Sequence, residues 1–353
     1  MTILFILIKF ILIFLLLQQI AFRSPIRGLI IQWKGLHQPW ISLVALLLFF
    51  FVYPSPTFVE HWFLLLFPVT LLTLILAIFY STPAFLTSPH LHECTNGIQY
   101  YLFPSKNKKP EKTFVFLHGS GNDALFDNFE LFNHWYTRGH QVISINLPGH
   151  GLKGKTILTP ETSLPLLMEA WKEIQNKHFE KERVIVTGES LGAKFALRLG
   201  LEFPSINEAH LLCYPMKVSL SKKGIVLEVL HFFFFQLWWR LSSNTFWDAI
   251  PSFSRFKRGL YPLRYESETA KSSLQVYQNI IHHLEENFPS PTDYKNPHLQ
   301  IVLFHGINDG AVPYQQSLTM KNKLEKESLS TKVVLNRGFH LSIKRWYLTQ
   351  WLF

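Results

Sequence analysis

Cysteine is nearly absent: 353 residues hold only Cys94 and Cys213, far apart and outside any CxxC spacing. Two such residues build neither a thiolate zinc site nor a disulfide framework. Histidine is plentiful, with 16 copies. The close pairs His90/His92 and His282/His283 nevertheless lack a neighbouring cysteine or carboxylate set at ligand spacing, so they read as solvated loop or helix residues and no metal site is expected. Acidic residues are outnumbered, 24 against 34 Lys and Arg, for a formal charge of +10. No segment interleaves those basic residues with exposed aromatics as a nucleic-acid surface does, so nucleic acid is not an expected partner. Anionic lipid headgroups fit the positive balance better. Also missing are the Gly-Lys-Ser/Thr ending of a phosphate-binding loop and the basic leader and small-x-small cleavage pattern of a secretory signal.

What the sequence has in abundance is apolar residues, unevenly spread. Residues 3–22 are apolar apart from Lys9, Gln18 and Gln19, about the length that crosses a bilayer core as a helix. Further apolar runs cover 40–53 and 61–80. Together they predict a membrane anchor over 1–80 with about three spans, its first run retained rather than cleaved. Arg23, Arg27 and Lys34 follow the first run, and Lys106, Lys108, Lys109 and Lys112 follow the third. Positive residues favour the cytoplasmic side, so a multi-pass protein with residues 81–353 facing the cytoplasm is expected.

Beyond Ser81 the pattern alternates short β-branched runs with amphipathic ones. Strands are predicted at 98–103, 113–117, 142–146, 183–187, 210–214, 299–304 and 332–335. Apolar residues at three- and four-residue spacing predict helices at 125–136, 163–177, 191–203 and 314–327. Strand alternating with helix is the signature of a parallel sheet covered by helices. Residues 215–296 break the rhythm and read as an inserted cap.

Four short motifs follow predicted strands. Gly188-Glu189-Ser190-Leu191-Gly192 joins strand to helix. A serine on such a sharp turn needs glycine on both sides, because a β-carbon there would strike the neighbouring strand or helix. His118-Gly119-Ser120-Gly121 ends an earlier strand and can supply a backbone donor from Ser120, beside that of Leu191, for a developing oxyanion. Asp309, in Gly306-Ile307-Asn308-Asp309-Gly310, can accept a histidine N–H and fix its tautomer. It also fits a plain turn or a helix cap. His340, in Gly338-Phe339-His340, follows the last strand. Serine, acid and histidine thus come in that order, each behind a different strand, as in α/β-hydrolases and unlike other serine hydrolase folds.

On these motifs, together with Leu147-Pro148-Gly149-His150-Gly151 and Val312-Pro313, residues from about 99 to 353 resemble the α/β-hydrolase superfamily, in the style of monoacylglycerol lipases and serine aminopeptidases. Asn146 departs from the pattern, standing where members commonly carry Asp, and should alter local hydrogen bonding. The resemblance implies an α/β-hydrolase fold, a mostly parallel sheet with helices on both faces and the cap inserted before the strand that carries the acid. It implies Ser190 as nucleophile, His340 as general base, Asp309 as its orienting acid, and Ser120 and Leu191 as oxyanion donors. His118, Gly119, Gly121, Gly188 and Gly192 shape the supporting turns. Acyl transfer by this route requires no cofactor. The segment 225–241, with Phe232 to Phe235, Trp238 and Trp239, suits an acyl-lined cap or the membrane interface. Lipid-like esters are therefore the expected substrates: monoacylglycerol, lysophospholipid or acyl thioester. The alternatives are a membrane-associated peptidase of the aminopeptidase-like branch and a catalytically inactive binding module.

Overall fold

A computed structural model describes residues 89–107, 109–120, 124–125, 128–151, 155–180, 182–217, 224, 226–228 and 273–350. The three apolar runs at 3–22, 40–53 and 61–80 and the aromatic stretch 232–239 lie outside the described residues. Among the described residues no helix is long and apolar enough to cross a membrane.

Eight strands form one sheet: β1 (His90–Glu93), β2 (Gln99–Phe103), β3 (Lys112–Leu117), β4 (Gln141–Ile145), β5 (Arg183–Glu189), β6 (Ile206–Leu212), β7 (Gln300–Gly306) and β8 (Thr331–Asn336). Their spatial order is β1-β2-β4-β3-β5-β6-β7-β8. The β1–β2 and β2–β4 pairs are antiparallel, and every pair from β4 to β8 is parallel. Seven strands match the sequence expectation within a few residues. The eighth, β1, corrects it: His90 and His92 are strand residues, and the His92 ring stacks on Tyr100 with centroids 5.1 Å apart. A four-residue edge strand that is mostly exposed carries too little alternation to stand out.

Successive side chains of a strand point to opposite faces, and here both faces are apolar. Val115, Leu117, Ile143, Ile145, Val184 and Val186 point to one buried cluster, while Phe114, Phe116, Val142 and Ile185 point to another. A sheet buried on both faces must be covered on both. The first face receives α2 (Ser163–His178), α3 (Leu191–Glu202), α4 (Ser273–Glu286) and α5 (Gln315–Lys326), through residues such as Trp171, Phe195, Ile280 and Met320. The second receives α1 (Phe129–Thr137) and α6 (Ile343–Gln350), through Phe132, Trp135, Ile343 and Tyr347. Within the segment expected to form a cap, α4 thus buries Tyr277, Ile280, Ile281 and Leu284 in the same core as α3. Lys194 of α3, itself buried, pairs with Glu285 of α4.

Candidate active site

The parallel arrangement decides where the motifs go. Because β3, β5, β6, β7 and β8 run the same way, the residues just past their C-terminal ends share one edge of the sheet, where ligands of open α/β sheets bind. His118 to Ser120 follow β3, Ser190 follows β5, Cys213 follows β6, Asp309 follows β7 and His340 follows β8.

Ser190 sits between β5 and α3 with φ 51° and ψ −116°, a left-handed backbone that a side chain rarely adopts. Its N–H donates to the Leu212 carbonyl at 2.8 Å, tying the turn to β6. The flanking glycines are dictated by space. A β-carbon on Gly188 would stand 2.2 Å from the Gly192 carbonyl oxygen, and one on Gly192 would stand 2.2 Å from that of Leu117. Leu191 opens α3, so its N–H has no partner within the helix, and the positive end of the helix dipole faces the serine. Gly119 lies alongside: a β-carbon there would be 3.5 Å from Ser190 Cβ. The buried His118 ring braces this loop, donating from Nδ1 to the Gly119 carbonyl at 2.8 Å and accepting the Leu147 N–H at Nε2, 3.0 Å away. Ser120 is partly buried at the same loop. Gly121 lies outside the described residues. Asn146 accepts the Ala124 N–H at Oδ1, 2.8 Å away, and its Nδ2 is buried with no hydrogen-bond partner among the described residues.

Asp309 and His340 meet. Nδ1–H of His340 donates to Asp309 Oδ2 at 2.7 Å, and the Asp309 side chain has no exposed surface. The other carboxylate oxygen, Oδ1, accepts the N–H groups of Ala311 at 2.9 Å and Val312 at 2.7 Å. Asp309 is therefore both the turn residue and the imidazole's partner, one oxygen for each. The two loops are also joined below the side chains: Ile307 N–H donates to Asn336 O, Asn308 N–H to Gly338 O, and a β-carbon on Gly306 would stand 2.2 Å from Gly338 O.

The electrostatics follow from this closeness. Burial disfavours a charge on either partner, but each is outweighed by the other. The His340 imidazolium and the hydrogen bonds from His305 and His340 hold the Asp309 carboxyl well below the usual carboxylate range. Burial lowers the affinity of His340 for its second proton, yet the Asp309 carboxylate, with Glu228 and Glu189 behind it, raises it to about 9. Among the described residues, Ser190 Oγ makes no hydrogen bond to the His340 ring; such contacts often tighten only with substrate in place.

Two residues of this site escaped the sequence. His305, the last-but-one residue of β7, is buried and places Nε2 3.2 Å from Asp309 Oδ2 and 2.8 Å from the Val312 carbonyl, with Nδ1 2.6 Å from Ser317 Oγ. It directly precedes the acid motif, and nothing but its place beside Gly306 hinted at a role. Glu228, buried in the middle of an apolar run, accepts the N–H groups of both Gly310 and His340. Among the described residues, Cys213, His305 and Asp309 are the group that could ligate a metal ion, with ligand atoms within 4.8 Å of one another. The two ring nitrogens of His305 are already hydrogen-bonded there.

A family model described as "Alpha/beta hydrolase family" matches residues 114–343. The chain belongs to the alpha/beta hydrolase family. This alpha/beta hydrolase is similar to a solved esterase from Pyrococcus furiosus, at 15% identity and TM-score 0.47 over 76% of this chain and 87% of that one. A soluble variant of monoglyceride lipase from Saccharomyces cerevisiae, bound to a substrate analogue, is similar at 14% identity and TM-score 0.48 over 75% and 95%. An acylaminoacyl peptidase from Pyrococcus horikoshii is similar at 12% and 0.44 over 75% and 41%. None of these likenesses bears on substrate. A search of curated proteins gave no match.

Proposed function

We propose that this alpha/beta hydrolase is a membrane-anchored serine esterase that cleaves lipid-like esters through Ser190, His340 and Asp309. The observation that carries the reading is the 2.7 Å hydrogen bond from His340 to a fully buried Asp309 carboxylate, at the same sheet edge as a serine held at positive φ.

In this mechanism the His340 Nε2 takes the Ser190 proton as Oγ attacks the ester carbonyl. Asp309 holds the ring in the tautomer that leaves Nε2 free to accept, and its charge stabilises the imidazolium that forms. The N–H groups of Leu191 and Ser120 receive the oxyanion. Collapse expels the alcohol, protonated by His340, and leaves an acyl group on Ser190. Water, deprotonated by the same imidazole, then attacks the acyl carbonyl; the Oγ–acyl bond breaks, His340 returns the proton to Ser190 Oγ, and the acid is released.

The lipid-like substrate and the anchor are supported by sequence: the apolar runs at 3–22, 40–53 and 61–80 and the aromatic segment around Phe232 to Trp239. They hold the enzyme at a bilayer, with the positive stretches on the cytoplasmic side. The test is labelling of the detergent-solubilised full chain by a fluorophosphonate, followed by a panel of esters of rising acyl length. Labelling that vanishes in Ser190→Ala and a preference for long acyl chains are expected. A folded protein that resists the probe overturns the serine mechanism; a preference for acetyl or aminoacyl substrates overturns the lipid assignment.

A further inference from the structure

Glu228 lies in the connection between β6 and β7, in a helical stretch with Gly224, Val226 and Leu227. Its carboxylate is buried, with the residue 4% exposed. A single oxygen, Oε1, accepts the N–H of Gly310 at 2.8 Å and the N–H of His340 at 2.8 Å. Those two donors belong to different loops, one after β7 and one after β8. Each sits at, or next to, a member of the Asp309–His340 pair.

The backbone around it has been cleared for this approach. A β-carbon on Gly310 would stand 2.7 Å from the Gly224 carbonyl oxygen and 2.8 Å from Gly224 Cα. Any side chain at position 310 would push the Glu228 stretch away from the site.

We propose that Glu228 is a positioning residue, clamping the Asp309 and His340 loops together from the inserted segment and adding a second negative charge behind the imidazole. The inference rests on the serine-esterase reading for its kinetic consequence, but not for its structural one. Burying a carboxylate is costly unless strong donors meet it, and hydrogen bonds to an ionised acceptor are stronger than neutral ones. Burial pushes the Glu228 carboxyl above its ordinary range, and the adjacent imidazolium and the two backbone donors pull against that rise. The clamp differs from the deeper ties of Ile307 and Asn308 to the β8 loop, because it acts at His340 itself. It also makes the aim of the imidazole depend on the inserted segment being seated.

The charged and titratable groups around the pair come from four places. Asp309 and, behind it, His305 come from the β7 end; Glu189, paired with Lys344 of α6 at 3.3 Å, comes from the β5 end. Cys213 comes from the β6 end, and Glu228 from the inserted segment. Among the acids near His340, Glu228 alone also bonds to its main chain in the described contacts.

The test uses the full chain and two variants. Glu228→Gln keeps an oxygen acceptor and removes the charge; Gly310→Ala keeps the charge and displaces its carrier. The titration of the His340 ring is followed by nuclear magnetic resonance, assigned by its loss in His340→Asn, and the pH profile of ester hydrolysis is recorded alongside. In Glu228→Gln the His340 midpoint should fall by about one pH unit, a tenfold loss of proton affinity. The rising limb of kcat/KM should move with it, with KM within about twofold of the parent. In Gly310→Ala the high-pH plateau of kcat should fall by about tenfold or more. A His340 midpoint in Glu228→Gln equal to that of the parent overturns the proposal. Because the ring titration needs no turnover, it decides the role of Glu228 even if Ser190→Ala shows that hydrolysis does not use the serine.

Discussion

Gly188 and Gly192 meet across the Ser190 turn: a β-carbon on Gly188 would stand 2.2 Å from the Gly192 carbonyl oxygen and 2.6 Å from the Ala193 nitrogen. All the clashing atoms are backbone, at the start of a helix packed on β5, so none can swing aside.

Gly188→Ala should therefore destabilise the protein by about 2–4 kcal/mol, at the upper end for overpacking of a rigid core. Denaturant unfolding of the variant checks this. A parent-like midpoint would mean that the turn relaxes more easily than its geometry implies.

Asp309→Asn separates the two tasks of that side chain. An amide oxygen still accepts the Ala311 and Val312 N–H groups, so the fold should persist. The imidazole, however, loses its anion and its fixed tautomer, and kcat should fall by about 10³–10⁴-fold. Ester turnover by a variant with a native melting curve is the measurement; a drop smaller than tenfold would remove Asp309 from the mechanism.

The raised affinity of His340 for its proton predicts opposite trends in stability and activity. Its folded value of about 9 lies above the ordinary 6.5. Its contribution to stability is thus complete below about 6.5 and lost as pH rises through about 9. A general base must be neutral, so kcat/KM should climb over the same window. Urea unfolding and ester hydrolysis measured between these pH values test both. Stability that rises toward pH 9 together with activity would contradict the pairing.

The Lys194–Glu285 pair predicts an asymmetry. Lys194 is 1% exposed at its side chain, and burial lowers its pKa to about 8, against the pull of Glu285. Removing only the partner leaves a buried cation, so Glu285→Ala should cost about 3–5 kcal/mol, whereas Lys194→Met should be near neutral or stabilising. Chemical denaturation of both variants is the comparison; equal losses would assign the pair a net stabilising role.

Much of the site was legible in the sequence. The five-residue turn around Ser190 announces itself because its demands are local: a strand before, a helix after, and glycine where no β-carbon fits. The strands alternate between two apolar faces, so their apolar runs mark them within a few residues. β1 did not, being four residues at an exposed edge. Glu228 was hidden for the opposite reason: it stands in a run whose dominant signal is apolar, and a lone carboxylate there points to no partner.

The sequence by itself determined the alternation of strand and helix, the strained serine turn, and the chain order of serine, acid and histidine, because each depends on sterics and periodicity within a few residues. Only the tertiary structure decided that β7 and β8 lie side by side, bringing Asp309 to His340, and that β3 adjoins β5, setting Gly119 against Ser190. The same holds for Glu228, whose two donors, Gly310 and His340, come from loops brought together by strand order. Neighbours of that kind are fixed by how the sheet is assembled, and residue spacing along the chain does not encode them.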